Sequence, residues 1–198
     1  MRILSVLFVL LFLSACGGPQ LPFLGNNARI LAFGDSLTFG VGAREGMDYP
    51  AHLARLCGCE VINAGVSGET TAQGLTRIGE LLDETQPDLL ILMEGGNDIL
   101  RNQDKAQLKR NLEAMIREAQ GRQVPVLLIA VPDRKVFLSP LPLYQELAEQ
   151  FSLPLLEDTL PQLLSQSAMK SDTVHLNDAG YQLLAEEIYQ LARESGAF

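Results

Sequence analysis

A chain of 198 residues with 47% apolar and 20% charged side chains can fill one sizeable core, and is too apolar for a disordered polymer. Its 15 basic and 24 acidic residues leave a formal charge of −9, and no run of Lys or Arg exceeds two. Nucleic acid is therefore not an expected partner, because a phosphate backbone would be repelled.

The chain opens with Arg2, an apolar run over residues 3–13, and then Leu13-Ser14-Ala15-Cys16. The run is too short to cross the roughly 30 Å hydrocarbon layer as a helix. A positive end, an apolar centre and small residues form instead the layout of a secretory signal. Leu-Ser-Ala-Cys resembles the bacterial lipobox, which implies that residues 1–15 are removed and that Cys16 becomes a lipidated first residue. An ordinary export signal cut near Ala15 is the alternative. Gly17 after the cysteine implies, by the same resemblance, the outer membrane. An acyl anchor ties a soluble domain to the envelope without a spanning element. Residues 16–27 have the Gly, Pro and Asn content of a spacer, which leaves 28–198 as the folded domain.

From there, short apolar runs bounded by turn residues alternate with segments of helical period, the pattern of a parallel sheet in an α/β fold. Strands are expected at 30–33, 60–63, 89–93, 126–130 and, more weakly, 153–156. Each lacks polar alternation, as befits strands with helices on both faces. Leu75, Ile78 and Leu82 share one helical stripe, and Leu108, Leu112, Met115, Ile116 and Ala119 another. The last helix follows His175, with Asn177 as its N-cap and Leu183, Leu184, Ile188 and Leu191 turned to the core.

Cys57 and Cys59 flank Gly58 at a helix-to-strand junction. A bridge across one residue is geometrically demanding, so two small buried side chains are expected. With these cysteines and only His52 and His175, no zinc or iron–sulfur spacing exists, and no metal is expected. His52, in a helical segment over 49–56, reads as a packing or surface residue.

Ligand sites in an open parallel sheet form beyond the carboxyl ends of the strands. The residues that follow the first three runs are Gly34-Asp35-Ser36-Leu37-Thr38, Ala64-Gly65-Val66-Ser67-Gly68-Glu69-Thr70 and Glu94-Gly95-Gly96-Asn97-Asp98. Asp172-Thr173-Val174-His175 stands near the C-terminus. A hydroxyl nucleophile, a base, a carboxylate to orient it and donors for an oxyanion are the parts of an acyl-transfer site. Asp172 can fold back in a tight turn onto the Nδ1 proton of His175, which leaves Nε2 for Ser36. Asp35, Thr38 and Asp98 read as scaffolding of their own loops. Position 38 is Thr, so the Gly-x-Ser-x-Gly elbow of α/β-hydrolases is absent, and so are the phosphate-loop and dinucleotide fingerprints.

The four segments resemble, in order and content, the four blocks of the SGNH hydrolases, the GDSL esterase and lipase family, in its arylesterase, lysophospholipase and thioesterase I branch. The resemblance spans residues 30–191. It implies a flavodoxin-like three-layer α/β/α sandwich around a five-stranded parallel sheet. It also implies serine esterase activity through an acyl-enzyme, with Ser36, Asp172 and His175 catalytic, an oxyanion hole made by Ser36, Gly68 and Asn97, and no cofactor. The substrates implied are aryl, alkyl or lipid acyl esters, with thioesters open to the same chemistry. A carbohydrate O-acetylesterase and a non-catalytic lipid-anchored binding protein are the alternatives. The loop 131–138, which mixes apolar and basic side chains, is expected to form part of an acyl-binding wall.

Overall fold

The computed structural model describes residues 18–25, 27–133 and 139–198. The expected signal over 1–15, the lipidation residue Cys16 and residues 134–138 of the expected acyl-binding loop lie outside them. Five strands form one parallel sheet: β1 (Arg29–Gly34), β2 (Glu60–Gly65), β3 (Leu89–Met93), β4 (Val126–Ile129) and β5 (Leu155–Leu156), in the order β2-β1-β3-β4-β5. β3 and β4 are buried throughout and β1 in all but Arg29, so their continuous Val, Ile and Leu runs report cover on both faces. β2 departs from that expectation: it is the sheet edge and only half-buried. β5 is shorter than the 153–156 run, because Pro154 has no N–H to give a ladder and contributes only its carbonyl, to the Leu128 amide at 2.9 Å.

The helices are α1 (Ser36–Phe39), α2 (Tyr49–Cys57), α3 (Thr71–Thr85), α4 (Gly96–Leu100), α5 (Lys105–Gly121), α6 (Pro142–Phe151), α7 (Thr159–Ser165) and α8 (Asp178–Glu194). The step from β1 to β2 runs one way along the sheet and the later steps run the other, so right-handed crossovers put their helices on opposite faces. α2 accordingly packs with α8, and α3 with α5. Asn177 caps α8 as expected, accepting from the Gly180 amide at 3.0 Å. The α8 core line, however, runs through Tyr181, Leu184, Ala185, Ile188 and Ala192. Leu183 lies one residue off that line and is 38% exposed, which corrects its expected inward orientation.

Cys57 and Cys59 form a disulfide, contrary to the expectation of two separate side chains. Gly58 closes α2 in the left-handed region, φ 65°. That turn brings the flanking Cα atoms to 5.2 Å, inside the range a bridge needs. The expected spacer is also not wholly free. Leu21 is buried, and the Leu21 and Leu24 amides donate to the carbonyls of Ser195 (2.7 Å) and Ala197 (2.8 Å), laying residues 21–24 along the C-terminal end of the chain.

Candidate active site

The strand order reverses between β1 and β3, and in a 2-1-3-4-5 sheet the crevice beyond that reversal is where ligands bind. β1 runs into Asp35 and Ser36 there, and β3 into Gly95, Gly96 and Asn97. Asp35 caps the short α1, its Oδ1 accepting from the Leu37 amide at 3.0 Å, which sets Ser36 as the first helical residue. Ser36, Gly68, Asn97 and His175 line one cavity of about 220 Å³.

His175 Nε2 lies 3.0 Å from Ser36 Oγ, and His175 Nδ1 lies 2.8 Å from Asp172 Oδ2. The other Asp172 oxygen accepts from the amides of Val174 and His175, both at 2.8 Å. This is the tight turn that three-residue spacing permits. Burial pushes the Asp172 carboxyl up, but hydrogen bonds from the His175 ring and the two amides outweigh it and hold the carboxyl below its ordinary range. An ionised carboxylate against Nδ1 fixes the imidazole with Nε2 facing the hydroxyl.

Gly68 has φ 81°, in the left-handed region that side chains resist. Its carbonyl accepts from Arg101 Nη2 at 2.8 Å, so the guanidinium fixes the peptide from outside the cavity. Asn97 Nδ2 donates to Asp35 Oδ2 at 3.3 Å. One amide hydrogen thus anchors the side chain at the wall of the cavity. Asp35 is pushed up to about 6, chiefly by burial, with the Leu37 amide and His175 opposing and Glu69 and Asp98 adding to the rise.

Two of the residues read as loop scaffolding reach further than their own loops. Asp98 accepts from the Thr71 amide (2.9 Å) and hydroxyl (2.6 Å) and so ties α4 to the start of α3. Thr38 Oγ1 lies 3.2 Å from the Tyr49 hydroxyl and joins α1 to α2. His52 is half-buried, as a packing residue would be. Its Nε2 has no hydrogen-bond partner among the described residues. Burial, then nearby Arg55, holds its pKa below the ordinary value.

Sequence reasoning gave no role to Arg77, Arg101 or Glu94. Arg77 stacks on the Phe33 ring at 4.0 Å and pairs with the buried Glu69 carboxylate, with Nε–Oε1 at 2.7 Å. Its Nη2 also donates to the carbonyls of Ala64 (2.9 Å) and Gly34 (3.4 Å), at the ends of β2 and β1. The sequence marks it only as a basic residue 8 positions after Glu69, on the helix that follows. Glu94 is fully buried and neither carboxyl oxygen has a hydrogen-bond partner among the described residues. Burial, then the charges of Asp35, Glu69 and Asp98, pushes it up to about 10, with Arg77 offsetting only part. It therefore sits protonated beneath the site at neutral pH. A charged residue ending the run Leu-Leu-Ile-Leu-Met was its one visible mark.

Ile99, Leu100, Val131, Pro132, Leu164 and Val174 give the cavity apolar walls. Of the expected acyl-binding loop, Val131, Pro132 and Asp133 line the cavity, while residues 134–138 are not among those described.

The sequence profile of the GDSL-like lipase/acylhydrolase family matches residues 32–183. Esterase TesA of Pseudomonas aeruginosa is 36% identical over 107 residues, a match spanning 52% of this chain and only about half, 53%, of that relative. Thioesterase 1/protease 1/lysophospholipase L1 of Escherichia coli K12 is 28% identical over 165 residues, 79% of each chain. Among solved structures, the SGNH-hydrolase family esterase AlinE4 superposes with a TM-score of 0.64 at 31% identity, covering 88% of this chain and 99% of that one. With a profile spanning most of its length and that degree of likeness to a solved esterase, the chain belongs to the GDSL-like lipase/acylhydrolase family, the SGNH hydrolases, which are serine ester hydrolases.

Proposed function

We propose that the chain hydrolyses carboxylic acyl esters through an acyl-enzyme on Ser36, and that Cys16 ties it to the bacterial envelope. The observation that carries the first reading is the relay from Asp172 to His175 to Ser36, at 2.8 and 3.0 Å, on the wall of an apolar cavity. A serine hydroxyl is a weak nucleophile until a base takes its proton. His175 Nε2 receives that proton as Oγ attacks the ester carbon, and the Asp172 carboxylate stabilises the imidazolium. The oxygen that gains charge is received by the Ser36 and Gly68 amides and the free Asn97 N–H. His175 then protonates the departing alcohol. Water repeats the sequence on the acyl group, and the acid leaves with Ser36 restored. No step calls on a cofactor.

The apolar walls favour acyl chains over sugars as the group held, and thioesters fit the same chemistry. The anchoring reading is supported by Arg2, the apolar run and Leu13-Ser14-Ala15-Cys16, with Gly17 favouring the outer membrane. No helix among the described residues is long and apolar enough to cross a membrane. A fluorophosphonate probe should label the wild-type protein and not Ser36→Ala, and the variant's turnover of p-nitrophenyl esters should fall by about 10⁴-fold or more. Folded wild-type protein that resists labelling would overturn the hydrolase reading. A sharp preference for an O-acetylated glycan over a p-nitrophenyl acyl series would replace the acyl-chain substrate with a glycan ester.

A further inference from the structure

We infer that the cavity faces away from the bilayer holding the Cys16 anchor, so that its substrate is an acyl ester arriving from the aqueous side and not a lipid of that same bilayer. This rests on the hydrolase and anchoring readings above. Phe23 and Leu24 gather with Pro87 and Asp88, just before β3, and with Val124 and Pro125, just before β4. All of these lie at the amino ends of the strands. Ser36, Gly68, Asn97 and Val131 follow the carboxyl ends of β1 to β4 and line the cavity. The six residues of β1 alone separate the two ends by about 20 Å.

The backbone bonds from Leu21 to Ser195 and from Leu24 to Ala197 fasten the chain at that far end. Free reach therefore begins at Leu21, five residues from Cys16, and cannot exceed about 17 Å. A domain of this size is about 40 Å across. The tether allows the domain to tilt. It does not allow it to invert, because turning the cavity toward the bilayer would carry Leu21 a domain's width from the surface.

The test uses the lipid-bearing protein in vesicles. Phe23 (78% exposed) and Val66 (45% exposed, beside the cavity-lining Ser67) sit at the two ends. With Cys57 and Cys59 bridged and Cys16 acylated, Phe23→Cys and Val66→Cys each offer one thiol for a donor dye, read against an acceptor on the lipid headgroups. Transfer from position 23 should exceed that from position 66 by about twofold or more, given a sheet length between them. Equal or reversed transfer overturns the inference.

The companion measurement places an acyl-ester lipid either in the protein's own vesicles or in protein-free vesicles mixed with them, with p-nitrophenyl butyrate as the soluble reference. The native tether should cleave the lipid in its own vesicle no faster than in the others. About 30 Gly and Ser residues inserted between Gly18 and Pro19, enough to reach around the domain, should raise the same-vesicle rate several-fold by raising effective concentration. Faster same-vesicle cleavage on the native tether overturns the inference, as does finding Cys16 unacylated by mass spectrometry. Butyrate turnover with no lipid cleavage in any arrangement supports a water-borne ester. Loss of butyrate turnover with the transfer difference intact strikes the hydrolase reading alone.

Discussion

Asn97 is held at the cavity wall by a neighbouring carboxylate. Asp35 takes one of its amide hydrogens at 3.3 Å, and in the proposed mechanism the second meets the developing negative oxygen. Removing one such donor costs on the order of 100- to 1,000-fold in turnover. Asn97→Ala should therefore lose about that much in kcat with KM little changed, as steady-state kinetics on p-nitrophenyl esters will show. Glu94 makes a different prediction, in stability. Its carboxyl keeps its proton in the folded chain up to about pH 10, whereas the unfolded chain releases it near the ordinary 4.5. Folding thus holds a proton across that window, so the contribution is full below 4.5 and is lost as pH rises toward 10. Glu94→Gln should flatten the fall, losing less unfolding free energy than wild type between about pH 6 and 9 in denaturant titrations. Asp172 has the opposite sign, since its depressed pKa favours the folded state above the ordinary carboxylate range and that benefit fades in acid.

At the scale of elements, the site is held by side chains that join the ends of separate strands and helices. Arg77 on α3 grips carbonyls at the ends of β1 and β2 and the Glu69 carboxylate beside Gly68. Arg77→Ala leaves Glu69 buried without its partner, a loss of about 3 kcal/mol or more. Turnover should fall with KM nearly unchanged, because Arg77 braces the strand ends and the Glu69 carboxylate beside Gly68 and is not among the residues that line the cavity. Pairing it with Glu69→Gln should restore much of the stability. The Cys57–Cys59 bridge closes only a three-residue loop, and the entropy removed from an unfolded chain grows with loop length. Replacing both cysteines with Ser should cost no more than about 2 kcal/mol by thermal melts and leave ester hydrolysis intact.

For the molecule as a whole, the sequence was readable where local pattern and burial coincide. The β3 run matched to the residue, and the Asp172–His175 spacing already contained its tight turn. What escaped depended on contacts distant in the chain. β2 keeps an apolar Val61-Ile62 pair like the runs of the inner strands but occupies the edge, a position set by the strand order. The Arg77 carbonyl bonds, the Arg101 grip on Gly68 and the orphaned Glu94 carboxyl are likewise invisible to periodicity, because each is defined by what packs against it. The disulfide was missed because the left-handed turn at Gly58 that permits it is a matter of conformation, and glycine alone signals only that such a turn is allowed.

The bonds from Leu21 and Leu24 have a consequence in time as well as in space. Their partners lie more than 170 residues further along the chain, so this clasp cannot shut until nearly everything between has been synthesised. Residues 21–24 are therefore among the earliest described parts of the chain to be made and among the last to be fastened.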